Sequence, residues 1–256
     1  MPGPGTYKAD DVVLRVDLVD GFLPRENLIT RLPKVSVYGD GRVITGGPVI
    51  DIYPYPSLPN VLVQTISPAG VNALVTRALD HGVGSGADFG QPNIMDAAST
   101  RFTVLTDEGP LVSSANALGE GDGGLSAGQR SARSALRDLL DDLSDLSKTL
   151  GPDAVDEQKP YQPKVLAAVS REWTAPDSTD IPAQPERAWP GPTLPGGPVG
   201  TIPVIGCVTV TGEALDTVLD AATSANVLTP WTSDERKWLV GFRPLLPEET
   251  SCADLA

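Results

Sequence analysis

The sequence predicts an α+β fold in which about three helices pack on a largely antiparallel sheet. Three observations support it: short apolar runs alternate with turn residues, two pairs of runs have hairpin spacing, and three segments combine a helix cap with an apolar stripe. The chain has 256 residues, 40% of them apolar, which is enough to bury a substantial core. We expect a single domain over residues 11–256, with a flexible leader at residues 1–10 and a proline-rich surface loop at residues 174–200.

The strands are predicted from apolar runs bounded by glycine, proline and polar residues. Residues 34–45 form the clearest hairpin, because Asp40-Gly41 tolerates the positive φ angles of a tight turn. A second hairpin is expected at residues 102–114. Further strands are expected at residues 12–19, 61–66, 164–173, 204–210 and 237–243.

The three helices are predicted from caps and apolar periodicity. The first runs from the N-cap Ser67 to His81, the second spans residues 126–150 after a capping box, and the third begins at Thr211. The first and third echo each other at a constant offset of 144 residues. A duplication would place two strand-helix units on one sheet; a chance match between amphipathic helices is the alternative.

The two cysteines, Cys207 and Cys252, predict a disulfide that ties the C-terminal tail to an apolar strand. Cys207 lies in the predicted strand, whereas no packing reason is visible for Cys252 in its polar surroundings. The alternative is that both are free and pack as small apolar groups. Because a disulfide persists in oxidising compartments, the pair predicts a protein located outside the cytoplasm.

The charge of the chain disfavours several partners. Its formal net charge is -14, which repels phosphate backbones and anionic lipid, so we expect no binding to nucleic acid. We also expect no transmembrane segment, because no apolar run is long enough. The first residues are neither basic nor apolar, so secretion or anchoring at the outer face of the membrane would rest on a signal outside this sequence.

The search for catalytic and cofactor motifs is negative. His81, the single histidine, lies in the last turn of a predicted helix, where a structural role is expected. Neither a nucleophile elbow nor a phosphate-binding glycine motif occurs. The glycine-rich residues 119–124 carry two acids and are expected to form a flexible approach to the second helix. We therefore predict no catalytic residue, no metal site and no cofactor.

Four carboxylates form a candidate surface for a cation or a basic partner. Their spacing of three and four residues places them along one face of the second helix, and they are Asp138, Asp141, Asp142 and Asp145. A solvated helix face is the alternative, because calcium usually takes its ligands from loops. The arginines of this helix precede its aspartates, opposite to the preference of the helix dipole, which indicates that these charges serve contacts elsewhere.

A second candidate surface is aromatic and could bind a sugar or a peptide. Prolines hold Tyr53 and Tyr55 beside Asp51, and Trp231 and Trp238 flank a charged turn in a predicted strand-turn-strand unit. The alternative for both groups is packing of the rings on the core. Paired carboxylates suited to glycoside chemistry are also compatible with the 33 acidic residues of the chain.

Three short strings carry a resemblance to other proteins. Residues 37–44, 228–232 and 243–249, the last followed by Cys252, together with frequent Ala, Gly, Pro, Asp and Val, resemble segments of uncharacterised secreted or lipoprotein-like proteins of high-GC actinobacteria. That family has no assigned activity. The resemblance therefore implies a location at the cell envelope and carries over no catalytic residue.

These observations favour a non-catalytic binding or structural module of the cell exterior, with a protein or glycan as its partner. The first alternative is an extracellular hydrolase that works through Asp or Glu carboxylates. The second is a self-assembling surface component in which residues 174–200 act as a docking arm.

Overall fold

The computed structural model describes residues 3–175, 182–199 and 202–255, and it confirms the α+β fold. In these ranges there are five α-helices, three of them longer than six residues, and the strands form two mostly antiparallel sheets. None of the described helices is both long and apolar enough to cross a membrane. The helices are α1 (Arg25–Thr30), α2 (Pro68–Asp80), α3 (Ala127–Ser144), α4 (Leu146–Leu150) and α5 (Glu213–Thr223).

The chain divides into two compact units, each with its own sheet. The first unit comprises Met1–Phe22, Leu32–Gly47 and Val61–Tyr161, and the second comprises Leu23–Arg31, Pro48–Asn60 and Gln162–Ala256. Segments of the chain therefore alternate between the units before residue 61. The single sheet expected from the sequence is instead two sheets, and the two helices that echo each other, α2 and α5, belong to different units.

The sheet of the first unit is antiparallel throughout, in the order β6-β5-β1-β2-β3-β4-β7. Both predicted hairpins are confirmed, and Gly41 has the positive φ of 91° that its turn requires. Helices α2 and α3 pack their apolar faces on this sheet. The strands are β1 (Val12–Val19), β2 (Val35–Tyr38), β3 (Arg42–Gly46), β4 (Val61–Thr65), β5 (Ser99–Thr106), β6 (Gly109–Asn116) and β7 (Lys159–Pro160).

A fully buried arginine fixes the glycine-rich approach to α3. Arg133 donates from Nε to Oδ1 of Asp122 at 2.7 Å, and from its Nη atoms to the carbonyls of Asn116 and Ala117 at 2.9 and 2.8 Å. Arg137 donates to the other oxygen of Asp122 at 2.8 Å. The loop that the sequence indicated to be flexible is therefore held by two arginines, and the unusual charge order of α3 is explained by these contacts.

The sheet of the second unit has the order β10-β11-β8-β13-β12-β9, and β9 alone runs parallel to its neighbour in the described residues. Helix α5 covers one face together with the aromatic rings of Trp189, Trp231 and Phe242. The other face carries Ile29 of α1 and the C-terminal tail. The strands are β8 (Val165–Glu172), β9 (Arg187–Ala188), β10 (Gly197–Val199), β11 (Ile202–Thr211), β12 (Trp231–Ser233) and β13 (Arg236–Pro244).

The predicted disulfide between Cys207 and Cys252 is confirmed. Cys207 lies in β11, and the tail is held further by Thr209, whose Oγ1 accepts a hydrogen bond from the N–H of Cys252 at 3.1 Å. The two cysteines have a sequence separation of 45, and the bond fixes the tail against the sheet. No histidine or unpaired base accompanies it among the described neighbours, which is typical of a structural disulfide.

Four further expectations from the sequence differ from the structure. The third predicted helix begins at Glu213 and not at Thr211, because the chain turns at Gly212, whose φ is 61° and which provides no side-chain cap. The second predicted helix ends at Ser144, because the side chain of Asp145 accepts a hydrogen bond from the N–H of Lys148 and caps the separate helix α4. The leader is held in place where Tyr7 packs on the core and donates to the carbonyl of Leu105 at 3.0 Å. Within the proline-rich loop, residues 182–199 contain β9, β10 and the buried Trp189, whereas residues 176–181 and 200 lie outside the described residues.

We predict that Asp122→Asn lowers the stability of the protein at neutral pH by on the order of 2 kcal/mol, because it removes charge-assisted hydrogen bonds. Bonds from Arg137 and Arg133 hold the pKa of Asp122 below its ordinary value. A carboxyl with a lowered pKa stabilises the fold above the unfolded-state pKa of about 4 and stops doing so as the pH falls through its folded-state pKa. Urea unfolding at several pH values should therefore show that the difference in free energy of unfolding between wild type and Asp122→Asn becomes smaller below about pH 4.

The matched control is Asp138→Asn, which makes the same charge change at an exposed position of α3. A stability difference for Asp122→Asn that stays constant from neutral to acidic pH would contradict this account of the buried arginine.

We also predict that the double variant Cys207→Ala and Cys252→Ala is less stable by about 3 to 4 kcal/mol, because the unfolded chain loses a closed loop of 45 residues. Urea unfolding of the oxidised wild type and the variant measures this, and amide exchange should become faster in residues 244–255. Equal stability of the two proteins would show that the disulfide is dispensable.

Candidate functional site

Strand β13 bonds to β8 through every second residue. The N–H of Trp173 donates to the carbonyl of Lys237, and the N–H of Leu245 donates to the carbonyl of Val165. An antiparallel strand alternates its bonding direction with a period of two residues. The odd-numbered residues from 237 to 245 therefore direct their backbone groups toward β8.

The even-numbered residues of β13 direct their backbone groups to the other side, where pairing stops early. Trp238 pairs there with Trp231, which is the first residue of β12. Beyond this pair, no hydrogen bond within the described chain reaches the outward N–H and C=O groups of Val240 and Phe242. We call these two residues the open edge.

The edge is open because the chain before β12 turns away. Continuing the ladder of the hairpin would place Thr229 and Val227 opposite the open edge. Instead, the N–H of Thr229 donates to the carbonyl of Asn226, and the N–H of Val227 donates to the carbonyl of Tyr55. Pro230, which precedes β12, faces the opposite side, since its carbonyl accepts a hydrogen bond from the N–H of Arg187 in β9.

Residues 48–60 run past the open edge without pairing with it, and we call them the proline wall. The wall is anchored to the chain before β12, since the N–H of Ser57 donates to the carbonyl of Ala225. Its two ends are also joined, since the side chain of Asn60 donates to the carbonyl of Pro48 at 3.0 Å. Its prolines lack the N–H that a strand needs on its bonding side. These prolines are Pro48, Pro54, Pro56 and Pro59.

A cleft of about 680 Å³ lies between the open edge, the proline wall and α1, and we call it the edge cleft. Its rim is apolar and solvent-accessible, with Val49 71% and Ile50 60% exposed. The Oγ atom of Ser57, which also lines the cleft, is buried and has no hydrogen-bond partner among the described residues. The volume falls within the range of small ligand sites.

The third wall of the cleft, helix α1, is held close to β13 by two features. Gly241 permits the approach, because a Cβ at that position would lie only 3.1 Å from Cγ2 of Thr30. The buried guanidinium of Arg243 donates to the carbonyl of Arg31 at 3.3 Å and to both carboxylate oxygens of Glu249 at 2.7 and 3.1 Å. The pair of Arg243 and Glu249 therefore fixes both helix α1 and the C-terminal tail.

A second cleft of the same unit, of about 820 Å³, is rich in arginine. Arg171 pairs with Glu26 at 2.9 Å, and Arg236 pairs with Glu172 at 3.1 Å. The Arg236 guanidinium also lies 4.7 Å from the ring centroid of Trp238. The carboxylates that line this cleft are thus each paired with an arginine, in an arrangement typical of a charged surface.

The aromatic surface predicted from the sequence is divided by the structure. Tyr55 lines the edge cleft, Tyr53 lies edge-on to it with ring centroids 5.8 Å apart, and Asp51 is exposed in the same segment. Trp231 is only 1% exposed, so it belongs to the core and not to a ligand surface. Trp238 is also buried, although its ring borders the arginine-rich cleft.

The four predicted aspartates do not act as one stripe. Asp142 pairs with Arg77 at 2.8 Å and lies 3.2 Å from Nε2 of His81, whereas Asp145 caps α4. Asp138 and Asp141 are exposed. Because the helix ends before Asp145 and the side chain of Asp142 is occupied, the residues share no cation site, and the described residues contain no cluster of three or more metal-ligating side chains.

Sequence reasoning located one wall of the edge cleft and missed the open edge itself. The prolines and tyrosines of residues 51–56 drew attention to the wall. Val240 and Phe242 offer backbone groups, and an apolar strand sequence does not show which of its edges is paired. A usable signal was the short length of the strand before the charged turn, where Pro230 follows a turn-forming Asn226.

Comparison of this chain with protein-family models, with curated protein sequences and with solved structures found no match.

We predict that Glu249→Gln destabilises the protein by on the order of 3 kcal/mol, because it leaves the guanidinium of Arg243 buried without a full counter-charge. The side chains of this pair are only 6% and 9% exposed. Urea unfolding measures the change, with Asp220→Asn as a control that removes one charge at an exposed position of α5. Similar stability of the two variants would contradict the structural role given to this pair.

Proposed function

We propose that this protein is a non-catalytic binding module of the cell exterior that holds its ligand in the edge cleft. The observation that carries the proposal is the combination, in one cleft, of exposed apolar side chains with backbone groups that lack partners. Exposed apolar patches on soluble proteins mark interaction sites. Unpaired backbone groups in a cleft favour a ligand that can donate and accept hydrogen bonds.

The polar groups of the cleft support binding over carboxylate catalysis. Glu26 is the carboxylate that lines the edge cleft, and it is tied to Arg171 at 2.9 Å. A hydrolase of the glycosidase type needs two carboxyl groups that face one bond of the substrate. The edge cleft instead presents Ser57, apolar side chains and the strand edge.

A location outside the cytoplasm is the second part of the proposal. The disulfide between Cys207 and Cys252 supports it, because such bonds persist in oxidising compartments. The short strings that resemble actinobacterial envelope proteins point the same way. Thiol titration of the denatured, unreduced protein isolated from its native host would detect free cysteines if the chain matured in a reducing compartment.

The binding function is tested with two probes, a display library of random peptides and an array of cell-wall glycans. We expect the peptide library to yield binders whose affinity falls at least tenfold with Ile50→Asp, because that side chain loses its apolar contact and gains a charge. Ile50 is 60% exposed in the free protein, so the substitution leaves the fold intact.

The matched control is Met95→Asp, which makes a similar change at a side chain that is 85% exposed in the first unit. Binders should tolerate it. Failure of both probes to give any binder sensitive to Ile50→Asp would overturn the proposed function.

A further inference from the structure

We propose that the edge cleft binds an extended, positively charged peptide that adds to β13 as a further strand. This inference rests on the proposed function and names the class of ligand and its mode of binding. The open edge offers an N–H and a C=O at Val240 and again at Phe242, within the described chain. An extended peptide repeats this pattern of donors and acceptors every second residue, so its backbone can bond to both.

The edge cleft of about 680 Å³ borders the open edge, and the neighbouring residues limit the length of a strand added there. A neighbouring strand lies about 4.8 Å from the one it joins. At one end β12 already occupies the position beside Trp238, and at the other Pro244 has no N–H. The added strand therefore bonds mainly to Val240 and Phe242, and its side chains alternate between the two sides of the sheet.

One set of the peptide's side chains is expected to be apolar. The cleft around the edge presents Tyr55, Leu58 and Val227, and Tyr55 and Val227 are 43% and 38% exposed in the free protein. Covering such side chains with valine- or leucine-sized groups removes apolar surface from water. A peptide with apolar residues at every second position meets this requirement while its backbone stays on the edge.

The charge of the protein selects a cationic peptide. The chain carries a net charge of -14, and at the cleft Glu26 and Arg171 neutralise each other. Asp51, beside Ile50 of the rim, makes no ion pair in the described residues. Lysine or arginine at the positions between the apolar residues of the peptide complements the negative charge of the protein. A second copy of the chain would bring an equal negative charge and be repelled.

The test uses a capped heptapeptide of alternating lysine and valine with the complete, oxidised protein. Saturating peptide should slow amide exchange of Val240 and Phe242 at least tenfold. Leu239 and Gly241, whose backbone groups already face β8, should change little and serve as controls within the same strand. Ile50→Asn, which removes the apolar contact without adding charge, should weaken binding, and Met95→Asn should not.

Three control peptides separate the elements of the proposal. The same composition with lysines and valines in blocks should bind at least tenfold more weakly, because it cannot place apolar groups alternately. Replacement of lysine by glutamate should also weaken binding, and more so at low ionic strength. Methylation of every peptide nitrogen, which keeps the side chains but removes the donors, should abolish detectable binding.

The outcomes distinguish this inference from the proposed function. If the heptapeptide binds and Ile50→Asn weakens its binding, yet exchange at Val240 and Phe242 is unchanged, strand addition is wrong and the binding function stands. If the glutamate peptide binds equally well, the cationic class is wrong. If the heptapeptide does not bind while the glycan array yields a ligand sensitive to Ile50→Asp, the ligand is a glycan and the peptide proposal is overturned.

Discussion

The architecture of the second unit depends on one constraint, which is that its central strand β13 is paired along only part of one of its two edges. On one side β8 supplies partners along the whole strand. On the other side β12 covers only the residues up to Trp238, because Asn226 turns the preceding chain. The open edge, the proline wall and the cleft between them all follow from this early end to the pairing.

The features that surround the edge stabilise it without closing it. The prolines of residues 48–60 keep that segment from becoming a strand. Its hydrogen bonds to Ala225 and Val227 hold it beside the open edge without pairing with it. Gly241 lets α1 approach the sheet, while the pair of Arg243 and Glu249 fixes the end of α1. A short edge that is flanked by prolines is also protected against unspecific pairing with other strands.

Much of the fold follows from local sequence signals, and the site follows from tertiary pairing. The apolar stripes of α2 and α5 and the cap of α2, Ser67 beside Pro68, could be predicted because these signals lie within a few residues of each other, whereas the expected cap of α5 at Thr211 is absent. The break at Asp145 was missed because an aspartate can continue a helix or cap the next one, and tertiary contacts decide between these. Trp231 was left open between a ligand surface and the core, because an aromatic residue beside a charged turn fits either environment. The open edge could not be predicted, because it depends on which strands pair.

The most direct test of the open edge is amide exchange in the ligand-free protein. The account predicts that the N–H groups of Val240 and Phe242 exchange much faster than those of Leu239 and Gly241, although all four belong to the same strand. Equally slow exchange of all four would show that the edge is already paired and would contradict the account.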